Sequence, residues 1–257
     1  MQDLKVALLQ TSLHWEDAAS NRQMFDEKLA SVLDDRDVIL LPEVFTTGFS
    51  MNVEKLAEPA EGPSMEWMAT WAEKKDAVIA GSLIIKEKEK FYNRLIWMHP
   101  DGSYRYYNKR HLFVMAKEDK HFTHGKEKLI LEWRGWKLCP LICFDLRFPA
   151  FVRNQEYYDA MLCVANWPAK RSGHWRTLLP ARAVENQCYV VAVNRTGADG
   201  NDIEHRGDSC LIDPMGETLL SAAWQENILN ASLQKESITK TRRYMPFLED
   251  QDAYKLD

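Results

Sequence analysis

Three residues able to share one nucleophilic reaction stand at the ends of apolar runs. Leu138-Cys139-Pro140-Leu141-Ile142-Cys143 reads as a buried strand ending on a thiol, with Asp145, Arg147 and a helix-starting Pro149 directly after it. Cys143 is therefore expected at a strand-to-helix turn, which would project its side chain from the sheet and place backbone N–H groups near a developing oxyanion. Taken singly, a cysteine ending an apolar strand is more often an inert small hydrophobe. A working thiol nucleophile needs a stabilised thiolate and a neighbour that moves protons. Leu40-Leu41-Pro42-Glu43 puts a carboxylate after one buried strand, and Tyr106-Tyr107-Asn108-Lys109 puts an ammonium after another. Each charge alone reads as a solvated strand end. If the three strand ends meet at one sheet edge, they form a site where α/β folds commonly bind ligands.

The elements that must position them alternate along the chain. Strands are predicted at Leu4–Leu9, Val38–Leu41 and Ala77–Ile85, separated by helical spacing over Asn21–Leu33 and from Ser64 onward. Met65, Met68, Trp71 and Ala72 share one face of the second helix and read as core packing. Asn93–Met98 and Tyr104–Tyr107 flank Pro100-Asp101-Gly102, a hairpin turn. Trp136–Ile142, Met161–Ala165, Val190–Val193, Ser209–Ile212 and Glu217–Leu220 read as further strands, with Asp213-Pro214-Met215-Gly216 as a turn. Trp175–Gln187 reads as a helix that Pro180 should kink or interrupt near its start. Helices on both sides of paired strands favour a layered α/β fold with mixed sheets.

With 257 residues the chain suits one domain spanning 1–257, and neither a linker nor a short repeat divides it. No apolar run approaches the ~18 residues of a membrane span, and no leader is visible, so a cytoplasmic protein is expected. A formal net charge of -5 disfavours nucleic acid as a partner. The 5 cysteines, an odd number lying mostly in apolar segments, read as reduced thiols.

The segments around Glu43, Lys109 and Cys143 resemble, in order, the Glu, Lys and Cys motifs of the nitrilase (carbon-nitrogen hydrolase) superfamily. Leu4–Gln10 resembles the opening strand of that family, and Arg206-Gly207-Asp208-Ser209 through Gly216 its late hairpin. The resemblance implies an αββα sandwich with two mixed β-sheets that commonly pairs into a homodimer or a higher oligomer. It implies that Cys143 attacks an amide carbon, that Glu43 serves as general base and then as proton donor to ammonia, and that Lys109 stabilises the oxyanion. Water would then hydrolyse the thioester, and a lysine near the sulfur would favour thiolate. A supporting acid is implied on the loop after the lysine, for which Glu118 is the better match and Asp119 the competitor.

The flanks Glu43–Phe49, Lys109–Phe113, Asp145–Pro149 and Asn166–Arg171 are similar to the bacterial YafV-type omega-amidase branch. That branch acts on amides such as alpha-ketoglutaramate and alpha-ketosuccinamate. Such a substrate needs a cation for its distant carboxylate, for which Arg171 and Arg110 are candidates. Trp167 could line the acyl pocket or pack in the core or a dimer interface. Arg147 reads as an ion-pair partner of Asp145 or Glu185. His111, His121 and His124 match no compact zinc spacing, Cys139-x-x-x-Cys143 is not a CxxC, and Gly197 and Gly200 read as a turn rather than a phosphate loop. Neither metal nor organic cofactor is expected. The alternatives are a nitrilase, an N-carbamoyl hydrolase, or a silent scaffold of the same fold.

Overall fold

The structure is a computed structural model that describes residues 2–255. Its strands in chain order are β1 (Leu4–Gln10), β2 (Val38–Leu40), β3 (Glu58–Pro59), β4 (Val78–Glu87), β5 (Lys90–Met98), β6 (Tyr104–Asn108), β7 (Leu131–Trp133), β8 (Trp136–Ile142), β9 (Ala160–Ala165), β10 (Tyr189–Asn194), β11 (Thr196–Ala198), β12 (Glu204–Ile212), β13 (Thr218–Ala223) and β14 (Asn227–Leu233). One sheet has the order β14-β1-β2-β4-β5-β6, with β3 also on β4, and the other has the order β11-β12-β10-β9-β8-β7, with β13 on β12. Each is built around a parallel trio, β1-β2-β4 in the first and β8-β9-β10 in the second. Antiparallel strands complete both sheets, including β14 on β1 and the β4–β5–β6 meander.

Strand periodicity sorts the side chains into layers. Val6 and Leu8 point to the core that also holds Val164 and Val190 of the second sheet, whereas Ala7 and Leu9 point to the opposite face. There they meet Phe25 and Leu29 of helix Ala18–Ser31 and the Met65, Met68, Trp71 stripe of helix Pro63–Lys75. Helix Ser172–Asn186 covers the second sheet through Trp175, Leu179 and Ala183. The result is the expected αββα sandwich. Because both faces of β1 are covered, its run is almost continuously apolar. Leu8 is fully buried between the sheets, so Leu8→Ala should cost about 2–5 kcal/mol.

Several boundaries differ from the sequence expectation. The helix expected from Asn21 starts at Ala18, where the Asp17 side chain accepts from the Ser20 N–H at 3.0 Å. Helix Ser172–Asn186 begins ahead of Trp175 and runs through Pro180 without the expected interruption, its buried face holding it against the sheet. The 197–200 turn is displaced: Gly197 lies on β11, and the reversal follows at Asp199, whose backbone N–H donates to Ile203 O at 3.1 Å. Strands β7, β11 and β14 and helix Lys235–Tyr244 were not expected.

Two glycines permit close approaches near the predicted site. A Cβ on Gly81 of β4 would lie 2.9 Å from both the Leu41 and Phe45 side chains, and one on Gly125 would lie 2.0 Å from the Asn108 carbonyl. They let the segments carrying Glu43 and Lys109 pack against their neighbours.

Candidate active site

The three strand ends meet. Glu43 follows β2, Lys109 follows β6, and Cys143 follows β8, and all three line one cavity. The backbone after β2 is tied to β4: Leu41 N donates to Ala80 O at 2.7 Å, and Val44, with φ of 38°, donates to the Ser82 hydroxyl at 2.7 Å. Cys143 has φ of 45°, a left-handed conformation that a non-glycine residue adopts only where surroundings enforce it. Asp145 supplies the constraint. Its carboxylate accepts from Ile142 N at 3.1 Å, the Tyr107 hydroxyl at 2.8 Å and His111 N at 2.9 Å. It thus clamps the cysteine turn to the segment that carries Lys109.

Lys109 is buried between two carboxylates. Its Nζ lies 2.8 Å from Glu43 Oε1 and 3.0 Å from each Glu118 oxygen. Asn93 Nδ2 donates to Glu43 Oε1 at 2.8 Å and to Glu118 Oε1 at 3.3 Å, while the Asn166 N–H donates to Glu43 Oε2 at 2.8 Å. Glu118 Oε2 also accepts from Phe113 N at 2.6 Å. Every oxygen of the two acids is therefore hydrogen-bonded, as buried charge requires. Asp119 instead pairs with Lys120 at 3.1 Å, which places Glu118 and not its neighbour in the cluster.

These contacts set protonation. Burial works against the Lys109 charge, but Glu118 and then Glu43 outweigh it and hold its pKa well above the ordinary value. Burial raises the pKa of Glu118, against the pull of Lys109. Burial also pushes the Cys143 thiol well above its usual range, and Glu43 adds to this more than Lys109 relieves it. Lys109 does pull the thiol's pKa down, as expected of a nearby lysine, but burial and Glu43 outweigh it and the balance favours thiol over thiolate.

The cavity wall contains Phe49, Phe113, Arg147, Trp167 and Arg171. Trp167 stands between the cavity and the core. It lines the cavity, yet it is buried against Trp175 with ring centroids 5.3 Å apart, and its Nε1 donates to Arg171 O at 2.8 Å. Arg147 pairs with neither Asp145 nor Glu185, because Asp145 is taken by Tyr107 and His111 and Glu185 by Arg182. It lies 4.6 Å from the Trp167 ring centroid, and its Nη2 is 3.1 Å from His174 Nδ1. Arg171 lies 5.0 Å from the Phe113 ring. Arg110 is placed elsewhere: it lies 5.3 Å from the Phe151 ring, donates to the Lys126 carbonyl and lines a separate surface cavity.

The carbon-nitrogen hydrolase model matches residues 5–243. The chain belongs to the carbon-nitrogen hydrolase family.

Named relatives of this carbon-nitrogen hydrolase include omega-amidase YafV of Yersinia enterocolitica, 45% identical over 100% of both chains. A 2-oxoglutaramate amidase of Bacillus subtilis is 34% identical over 83% of this chain and 84% of that one. Among solved structures, XC1258 of Xanthomonas campestris, a CN-hydrolase superfamily protein carrying an arsenic adduct in its active site, superposes with a TM-score of 0.98. It is 40% identical, with 100% of each chain covered. The parts of this hydrolase's site that sequence reading missed are Asn93, Asn166 as a polar ligand of Glu43, and Arg147 as a cavity residue. The asparagines carry no charge and interrupt no periodicity. The buried position of Asn93 within β5 was the available signal.

Proposed function

We propose that this carbon-nitrogen hydrolase cleaves the terminal carboxamide of short omega-amides of alpha-keto acids, of the alpha-ketoglutaramate and alpha-ketosuccinamate type, to the acid and ammonia. The observation that carries the substrate class is the pair Arg147 and Arg171. Both line the cavity that holds Cys143, and among the described residues neither is ion-paired with a carboxylate. Burial first and the charge of Arg171 second lower the pKa of Arg147, as expected of two cations left facing one another. Aromatic rings hold them, and beyond the Arg147 Nη2 contact with His174 their N–H groups are left for an anion. Asp199 also lines the cavity, but its Oδ1 is occupied by the N–H groups of Asn201 at 2.8 Å and Ile203 at 3.1 Å. The names of the relatives from Yersinia and Bacillus support the same class.

The chemistry follows from the charges. Cys143, resting as a thiol, passes its proton to Glu43 as sulfur bonds to the amide carbon, and Lys109 N–H meets the resulting oxyanion. Collapse breaks the C–N bond while Glu43 returns the proton to nitrogen, so ammonia leaves and a thioester remains. Water deprotonated by Glu43 releases the acid and restores the thiol. Neither metal nor organic cofactor has a part in these steps.

The assembly we propose is a homodimer in the cytoplasm. Val184, Met215, Tyr244 and Phe247 are exposed, and a Gly216 Cβ would lie 2.7 Å from Val184 Cγ2, so the 213–216 turn abuts the end of helix Ser172–Asn186. Such apolar exposure suits a subunit contact, which sedimentation would measure. Reduced, buried cysteines suit the compartment.

The deciding assay is ammonia release from alpha-ketoglutaramate, a neutral amide of equal length, a nitrile and an N-carbamoyl compound. The carboxylated amide should have the highest kcat/KM. A neutral amide that equals it would move the protein to another branch.

A further inference from the structure

Asn166 is fixed by Glu43 on two sides. Its backbone N–H donates to Glu43 Oε2 at 2.8 Å, and its side-chain Nδ2 donates to the Glu43 carbonyl oxygen. That second contact settles which way the amide is turned, since an oxygen in place of Nδ2 would face another oxygen. The remaining polar atom, Oδ1, is buried and meets no donor. Asn166 is nevertheless only 6% exposed and belongs to the wall of the cavity that holds Cys143. A buried acceptor without a donor is a standing cost of about 1–3 kcal/mol, tolerated where a ligand or water supplies the missing hydrogen.

The reaction supplies such a hydrogen. A carboxamide has two N–H bonds, and its carbonyl oxygen turns to Lys109 on attack. Its nitrogen must then lie beside Glu43, which protonates it, and Asn166 is the residue that holds the same carboxylate from the other oxygen. We propose that Asn166 Oδ1 accepts an N–H of the substrate carboxamide and keeps that bond as the nitrogen becomes ammonia.

The step balances without any further reactant. Sulfur bonds to carbon, the thiol proton moves to Glu43, and the carbonyl pair moves to oxygen. The C–N bond then breaks as Glu43 returns the proton. The Asn166 contact strengthens as nitrogen gains its third hydrogen, so it favours the transition state over the bound amide. It also orients the nitrogen lone pair toward Glu43, since the N–H bonds are pinned elsewhere. An ester has no hydrogen on its leaving oxygen, so Asn166 gives it no such help.

This rests on the proposed Glu43, Lys109 and Cys143 chemistry, and the experiment separates the two. Acylation rates would be measured by single-turnover kinetics for an amide and for the methyl ester of the same acid, in the wild type, Asn166→Leu and Asn166→Ala. The amide-to-ester rate ratio should fall at least about tenfold in both variants, the size of one lost hydrogen bond to a developing charge. Equal loss on both substrates, which a merely structural clip on Glu43 would cause, overturns the proposal, as does an unchanged ratio. If Asn166→Leu fails to fold, the smaller side chain of Asn166→Ala carries the test. Failure of the underlying chemistry is seen elsewhere, as amide turnover that survives in Cys143→Ala.

Discussion

Glu118 grips Lys109 with both of its oxygens, each 3.0 Å from Nζ, while Glu43 holds the same nitrogen at 2.8 Å. An ammonium has three N–H bonds, and three oxygens of two carboxylates lie around this one. The two oxygens of Glu118 lie too close together to take a separate N–H each, so an N–H of Lys109 can turn to the oxyanion while Glu118 keeps hold of the nitrogen. Glu118→Gln replaces that flexible partner with a neutral amide whose NH2 opposes the lysine. It should lower kcat at least about tenfold, with KM less affected, because the defect appears only as charge develops. Steady-state ammonia release measures both, and an unchanged kcat would remove Glu118 from the mechanism.

Cys143→Ala should abolish turnover and leave the fold in place, since it deletes one sulfur and keeps a residue able to hold the same backbone turn. Thermal melts and single-turnover assays on the same preparation check both halves. A variant retaining a tenth of wild-type kcat would exclude Cys143 as the nucleophile.

Arg171→Ala should raise KM for the carboxylated amide about tenfold or more, the effect of one charge-assisted contact, and change the neutral amide little. Added salt should weaken the wild type toward the variant on the charged substrate alone. Parallel loss on both substrates would mean that Arg171 supports the loop near Trp167 and does not bind the anion.

His205 gives the fold an acid limit. Burial first, and then the charge of Arg195, push its pKa down to about 4. The unfolded chain takes up a proton near the ordinary value of 6.5 that the folded chain refuses, so stability falls as pH drops from there toward 4. Urea midpoints at pH 7 and pH 5 should therefore converge in His205→Gln relative to wild type. An equal drop in both proteins would show that other groups carry the acid sensitivity.

The legible parts of the molecule were those where one run of sequence carries the whole signal. The apolar run of β8 ending on Cys143 is such a case, with bounds as expected at Trp136–Ile142. Strand β14 was not legible because only Leu229 and Leu233 are buried along it, with exposed polar residues between. Arg147 was misread because Asp145 is its neighbour in sequence, whereas the partners that take Asp145 come from 38 and 34 residues away. Glu43, Lys109 and Cys143 were singled out by their strand-end positions together with the resemblance of their flanks to family motifs. Their hydrogen-bonding supports lie on other strands and loops, and no local pattern links them.

The pairing of β14 with β1 joins Leu4 to Leu233 and Gln10 to Asn227, so among the described residues the first strand is completed by the last. During synthesis β1 must wait until Asn227–Leu233 has been made before that edge is covered. A loop of this size closes slowly compared with local hairpins such as β4–β5. Until then the apolar strand beside the Glu43 segment presents an open edge, the kind of surface that draws in other chains. A ribosome-stalled fragment ending before Asn227 should accordingly be aggregation-prone, and yield in the cell should depend on how quickly the final strand arrives.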